Sequence, residues 1–143
     1  LENKKKLFCI IYCMNLIKIL TVENENNVEI YDLLEKLFKI IELDNWLVEF
    51  LYLELNILKS IGYDINFRDY VVDKSINGQT KYIVDSSQKI IPNFLIDKNI
   101  RPENLKEIYN GYSIVGDFLD KTIIKANNKN YPSSRNDFVN LLK

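Results

Sequence analysis

The chain of 143 residues contains no histidine. It therefore lacks the side chain that most often serves as general base and zinc ligand near neutral pH. Ser86, Ser87, Ser133 and Ser134 have no imidazole to activate them, which excludes a serine-type triad. Glycine is scarce, with four scattered copies, so no Gly-rich phosphate loop can form. Arginine occurs 3 times, and 19 basic against 20 acidic residues leave a net charge of -1. Such a chain has no overall basic field with which to hold phosphates. The only two cysteines, Cys9 and Cys13, lie one helical turn apart in an apolar run. Two thiols do not complete a structural zinc site, and a disulfide across one helical turn has poor geometry. Free, buried cysteines in a reducing cytosol are expected, with no metal and no cofactor.

Long hydrophobic runs are missing too. Leu7 to Leu20 is too short to span a bilayer and is interrupted by Asn15 and Lys18. Lys4, Lys5 and Lys6 before it imitate a signal peptide, but Thr21-Val22-Glu23-Asn24 offers no small-residue cleavage site. No membrane association is expected, and the location is cytoplasmic. The start at Leu1 rather than Met reads as a fragment. What is present is an apolar content of 47%, enough for one domain over residues 1–143 with a real core.

The apolar spacing predicts a mainly α-helical bundle with a small antiparallel β-hairpin flap after the third helix. Leu7 to Leu20 reads as a buried helix, since apolar side chains cover most of its circumference. Thr21 to Asn27 reads as a polar loop. Val28 to Glu42 repeats apolar residues in a three-four rhythm through Ile30, Leu33, Leu34, Leu37, Phe38 and Ile41. Asp44 is a candidate N-cap for a helix over Asn45 to Ser60, whose stripe is Leu47, Phe50, Leu51, Leu58 and Ile61. Gly62 supplies its left-handed stop. The flap, about residues 68–92, is carried by Tyr70-Val71-Val72 and Lys81-Tyr82-Ile83-Val84 around an Asn77-Gly78 turn, with a third strand over Gln88 to Ile91. Pro102 opens a helix to Tyr109, and Asn110-Gly111 breaks it. A further helix spans Tyr112 to Ala126 with Val115, Leu119, Thr122 and Ile123 inward and Gly116 on the same stripe. A loop over Asn127 to Asn130 precedes a last helix, capped at Ser133, that packs Phe138, Leu141 and Leu142 inward.

Glu54 stands out because it falls on the apolar stripe of its helix. A desolvated carboxylate costs several kcal/mol unless it finds a partner or a route to water. Arg135 is the candidate, because a guanidinium suits a fixed bidentate pairing better than an ammonium. The expectation is a structural ion pair of Glu54 with Arg135 that docks the last helix on the third. The alternative is a solvated Glu54 at the edge of the stripe. The carboxylate pairs Asp117 with Asp120 and Glu23 with Glu25 have no apolar setting that would shift them for catalysis, so no catalytic residue is expected and the chain is not an enzyme. Lys121, Lys125, Lys129 and Arg135 form a modest basic cluster. Read plainly it is a solvated helix face; beside an apolar groove, Lys121, Lys125 and Arg135 can receive an acidic, apolar-ended peptide. The nine tyrosines follow the rhythm of the helices and strands, which favours core packing over base stacking.

The run Leu53-Glu54-Leu55, Ile57-Leu58, Ile61-Gly62-Tyr63 resembles the Phe-Glu-Leu-x-Leu-Leu-x-x-Leu-Gly-Tyr pattern of the RecO family of recombination mediators. Tyr82-Ile83-Val84 is similar to the family's Tyr-Val-Ser, Gly116-Asp117-Phe118-Leu119 to its Thr-Gly-x-Phe-Leu, and Pro132-Ser133-Ser134-Arg135 to its Pro-Ser-Ala-Arg. The order and spacing agree from about Tyr12 to Lys143. The resemblance implies the C-terminal helical domain of a mediator in homologous-recombination DNA repair. Such proteins bind the acidic C-terminal tail of single-stranded-DNA-binding protein, work with RecR, anneal strands and assist RecA loading. The sequence departs from the pattern in two ways. The first zinc-binding cysteine of many members corresponds to Tyr70, so no zinc is expected and the flap must hold by packing and hydrogen bonds. The family's N-terminal OB-fold is absent from this stretch, which implies only weak binding of single-stranded DNA. The competing reading is a helical interaction scaffold unrelated to DNA repair.

Overall fold

The third helix is the axis of the fold because almost every side of it is apolar. The computed structural model describes residues 1–23, 27–60, 62–125 and 131–143, with side chains except at 19–23, 27–29 and 123–125. Helices α1 (Glu2–Glu23), α2 (Asn27–Ile41) and α3 (Trp46–Ser60) come first. Trp46, Leu47, Val48, Phe50, Leu51, Leu53, Ile57 and Leu58 of α3 are all buried, a wider face than the stripe read from spacing. Its end is a Schellman motif: Tyr63 N–H bonds Leu58 O at 2.9 Å, Gly62 N–H bonds Lys59 O at 3.1 Å, and Gly62 takes φ of 98°.

A 3₁₀ turn (Phe67–Tyr70) leads into a three-stranded antiparallel sheet, β1 (Val71–Ile76), β2 (Gln79–Val84) and β3 (Ile90–Ile91), in that order across the sheet. Asn77 and Gly78, at φ of 54° and 78°, make the two-residue turn that sets Ile76 against Gln79. Val71, Tyr82, Val84 and Ile91 turn toward the core, while Val72, Ile76 and Ile90 are exposed. The short α4 (Asn93–Ile96) follows. It is tied to β2 by Asn93 Nδ2 donating to Thr80 O at 3.1 Å, and to α3 by Tyr52 OH donating to Phe94 O at 2.8 Å.

Helix α5 (Leu105–Leu119) departs from expectation twice. It starts after Pro102, capped by Asn104, whose side chain accepts from Glu107 N–H at 2.9 Å. It also runs unbroken through Asn110-Gly111. Gly111 is there for space: a Cβ would lie 2.6 Å from Phe94 Cζ and 3.2 Å from Leu51 Cδ2. A π-helical turn (Asp120–Lys125) continues α5, and α6 (Ser134–Asn140) closes the bundle against α1. Phe138 of α6 is fully buried, with ring centres 5.7 Å from Phe50 and 5.5 Å from Tyr112, both edge to face.

Other expectations change as well. α1 runs through Glu23 and α2 begins at Asn27, so residues 21–23 and Asn27 of the predicted loop are helical; residues 24–26 lie outside the described ones, as do Ile61 and the predicted loop over 127–130. Helix α3 begins at Trp46, so Asp44 lies before the cap position. Phe38 is 56% exposed although it obeys the spacing, because α2 packs mainly on α1 and α3 and leaves that residue largely outside the contact. Helix α1 is not buried all round. Cys9, Tyr12, Cys13 and Leu16 face inward, while Leu7, Ile11 and Met14 face out.

Candidate functional site

Position 54 falls on the inward face of α3, so Glu54 enters a space closed by α1, α5 and α6, and it has no solvent exposure. Arg135, one residue into α6, reaches it from the opposite wall. Its Nε donates to Glu54 Oε2 at 2.8 Å and its Nη2 to Oε1 at 3.0 Å, a fork-to-fork pairing. Nη2 also donates to Tyr112 O at 3.0 Å. From α1, Tyr12 OH donates to Glu54 Oε2 at 2.5 Å, and Tyr12 and Tyr131 hydroxyls bond each other. Tyr112 fixes α5 to α3 by donating its OH to Leu47 O at 2.5 Å. Gly116 clears the way for the guanidinium, since a Cβ there would sit 2.8 Å from Arg135 Nη1. Among the described residues no buried side-chain nitrogen or oxygen lacks a partner.

The electrostatics keep every donor protonated. Burial alone would lower the Arg135 pKa, but the Glu54 carboxylate beside it outweighs that and holds it above the ordinary value. Burial raises Tyr12, Tyr112 and Tyr131 above an ordinary phenol, and the negative charge of Glu54 adds to the rise. Burial pushes the Cys13 thiol up to about 12 and Cys9 higher still, so both stay as thiols. The arrangement is a lock. It joins α1, α3 and α6 through one carboxylate and α5 through Arg135, and it offers that carboxylate to no ligand.

Above the lock lies a cleft of about 460 Å³ between α5 and α6. Tyr109, Leu119, Pro132 and Val139 give it apolar walls, and Gly116 and Arg135 form its floor. Asp117, on its edge, is paired with Lys89 of the flap at 3.5 Å. Of the basic residues singled out in the sequence, Lys121 is exposed and follows Asp120, which lines the cleft, without lining it itself. The Lys125 side chain and Lys129 lie outside the described residues. Arg135 does not join a surface cluster; it is 5% exposed and its Nε and Nη2 are spent on Glu54 and Tyr112. Tyr12 was not visible as a member of the site, because a tyrosine in an apolar run looks like any core aromatic, and Tyr131 was not because its polar sequence neighbours give no sign that it turns inward.

The chain matches the family model described as Recombination protein O C terminal over residues 1–111. It belongs to that family. Within the RecO C-terminal match lie α1 to α4 and the first half of α5, including Glu54 and Tyr12. Gly116, Tyr131 and Arg135 fall beyond the matched stretch, so they complete the family core from outside it. No curated protein and no solved structure matches the chain in the corresponding comparisons. The position that resembles the family's first zinc cysteine, Tyr70, packs its ring 5.7 Å from Phe118, and Phe67 packs at 6.4 Å on the same ring. Aromatic contact thus anchors the root of the flap. Among the described residues no cluster of His, Cys, Asp or Glu could hold a metal ion, and no helix is long and apolar enough to cross a membrane.

Proposed function

We propose that this chain is a non-enzymatic accessory domain of homologous-recombination repair that receives the acidic, apolar-ended tail of single-stranded-DNA-binding protein. The observation that carries the reading is family membership joined to the cleft beside α6. An apolar peptide end fits between Tyr109, Leu119 and Val139. Its carboxylates then meet Lys121, next to the cleft, while Lys89 offsets the charge of Asp117 on the lining. Arg135 supports the floor by positioning α6 and takes no part in binding the tail directly. RecR and the RecA-loading pathway are the further partners this family role implies, in the cytoplasm. Single-stranded DNA binds weakly, for want of a net positive field. Family membership favours this reading over a scaffold unrelated to repair.

The test is a fluorescence-anisotropy titration with a labelled acidic tail peptide ending in an aromatic residue. Micromolar binding that weakens as salt rises, and that falls several-fold in Lys121→Glu, is expected. Absence of binding at low salt, or affinity indifferent to Lys121→Glu, would remove the reading.

A further inference from the structure

The flap has two edges, and the fold closes only one of them. On the far side of β2, Tyr82 pairs with Ile91, and Val84 N–H donates to Lys89 O at 2.8 Å. Thr80 O, where the two-residue β3 has run out, accepts instead from the side chain of Asn93 at 3.1 Å. β1 has six residues and β2 as its only strand neighbour. The tight turn after Ile76 makes Ile76 and Gln79 a hydrogen-bonded pair. Val72, Lys74 and Ile76 therefore direct their backbone groups to β2, while Val71, Asp73 and Ser75 turn theirs outward. Among the described residues nothing bonds to those outward groups, and Asp73 and Ser75 are exposed. An open edge of this kind is a template for one more strand.

The side chains on the outer face of the sheet say which strand fits. Val72, Ile83 and Ile90 stand in one row across β1, β2 and β3, and Val72 and Ile90 are 40% and 53% exposed. The next row sets Lys74 directly opposite Lys81, a like-charge pair that destabilises a sheet on its own. Among the described residues neither ammonium has a carboxylate within 4.0 Å. Lys74 Nζ reaches only the neutral Gln88 Oε1, at 3.4 Å. Glu103 and Glu107 share a hollow with Lys81, where Glu107 Oε2 is taken up by Glu103 N–H at 2.7 Å. Ile76, also exposed, lies beyond the lysines. Along its outer face the open edge thus reads apolar, cationic, apolar at alternate residues.

We infer that β1 receives an extended segment of a partner protein as a fourth strand, with apolar residues beside Val72 and Ile76 and a carboxylate between them beside Lys74. Main-chain bonds to Asp73 and Ser75 hold the strand in place. The carboxylate supplies the countercharge that the two lysines lack, and the apolar residues lengthen the rows they join. The charges disfavour a second copy of this chain. Two β1 strands paired edge to edge about a twofold axis must oppose residues of the same face, so every extensive overlap sets Asp73 on Asp73 or Lys74 on Lys74.

The full chain is titrated by fluorescence anisotropy with a labelled peptide Thr-Val-Thr-Glu-Thr-Val-Thr and with the same peptide carrying lysine in place of glutamate. The glutamate peptide is expected to bind at least about threefold more tightly at low salt. N-methylation of the two threonines beside its glutamate should abolish binding, because it removes the donors that face β1. Lys74→Glu should invert the preference. Asp73→Pro removes an outward N–H and leaves the bonds of β1 to β2 intact, so it should abolish binding with the thermal midpoint unchanged. Neither variant should alter affinity for the acidic tail peptide at the α5–α6 cleft, and Lys121→Glu should leave the strand peptide bound, which separates the two surfaces. Equal affinity for the two peptides, none for either, or undiminished binding of the N-methylated one overturns the proposal. So does sedimentation showing a dimer that Asp73→Pro dissolves, which assigns the edge to a second copy. Binding of a single-stranded oligonucleotide that Lys74→Glu abolishes, without peptide preference, overturns it in favour of nucleic-acid phosphates.

Discussion

Arg135→Met should be among the most damaging single changes to this chain, and the structure says why. The variant keeps the volume of the side chain and removes its charge. Glu54, with no exposure, would retain one donor, the Tyr12 hydroxyl, where it now has three. Leaving a buried charge uncompensated costs about 3–5 kcal/mol. That is a large share of the roughly 5–15 kcal/mol that holds a domain folded. The double variant Glu54→Leu with Arg135→Met should recover most of this loss, since apolar replacement of a whole buried pair is often neutral or stabilising. Recovery stops short of complete because Tyr112 O, inside α5, loses the Nη2 donor and keeps its helical bond, a deficit of about 0.5–1.5 kcal/mol. Tyr12 keeps Tyr131 as a partner. The assay is urea unfolding followed by the fluorescence of Trp46, the sole tryptophan, which is 4% exposed and packs 6.3 Å from the Phe138 ring of α6. A cost under about 1 kcal/mol for Arg135→Met, or a double variant as unstable as the two singles summed, would refute the lock.

Three further outcomes follow from the same geometry. Gly111→Ala should destabilise by about 1–3 kcal/mol, because its Cβ lands 2.6 Å from Phe94 Cζ, where a solvent-facing helical glycine would gain about 1 kcal/mol; thermal unfolding gives the sign. Gly116→Ala should lower stability by a similar amount in the wild-type background and by less with Arg135→Met, since the atom it strikes is Arg135 Nη1; the same urea assay measures both. At alkaline pH the folded state holds protons that the unfolded chain releases. Cys13, at 9.0 when ordinary, is raised to about 12, and buried Tyr12 and Tyr112 stand well above their ordinary 10.0. A raised pKa stabilises fully below the unfolded value and fades as pH climbs to the folded one, so the urea midpoint should fall steadily from about pH 9 to 12. A midpoint flat across that window would contradict the burial of these groups.

The helices and the hairpin were legible because their signals are local. Asn77-Gly78 names its turn, Gly62 ends its helix, and the three-four rhythm of α2 and α5 marks a face. Glu54 was legible for a different reason: a carboxylate on an apolar stripe conflicts with its surroundings, and a rare arginine is a natural remedy. What stayed hidden depends on distance through space. Gly111 looks like a helix breaker in sequence and is a clearance for Phe94 in the fold. Phe38 keeps the rhythm of its helix, yet it is mostly exposed. Arg135 was read both as the partner of Glu54 and as a member of the basic cluster, and only the fold shows that the first role takes it out of the second. Tyr12 and Tyr131, 119 residues apart, meet only because α6 returns to α1. The outer stripe of α1 was hidden by its own inner face, because a helix apolar all round reads as buried.

Mapping of backbone amide shifts by nuclear magnetic resonance, during titration with the acidic tail peptide, places the bound peptide directly. The expected result is a contiguous set of shifts at Tyr109, Leu119, Lys121 and Val139 that saturates with the anisotropy curve and shrinks in Lys121→Glu. Shifts confined to the flap or scattered over the surface, with the α5–α6 cleft silent, would contradict the assignment of that cleft as the receiving site.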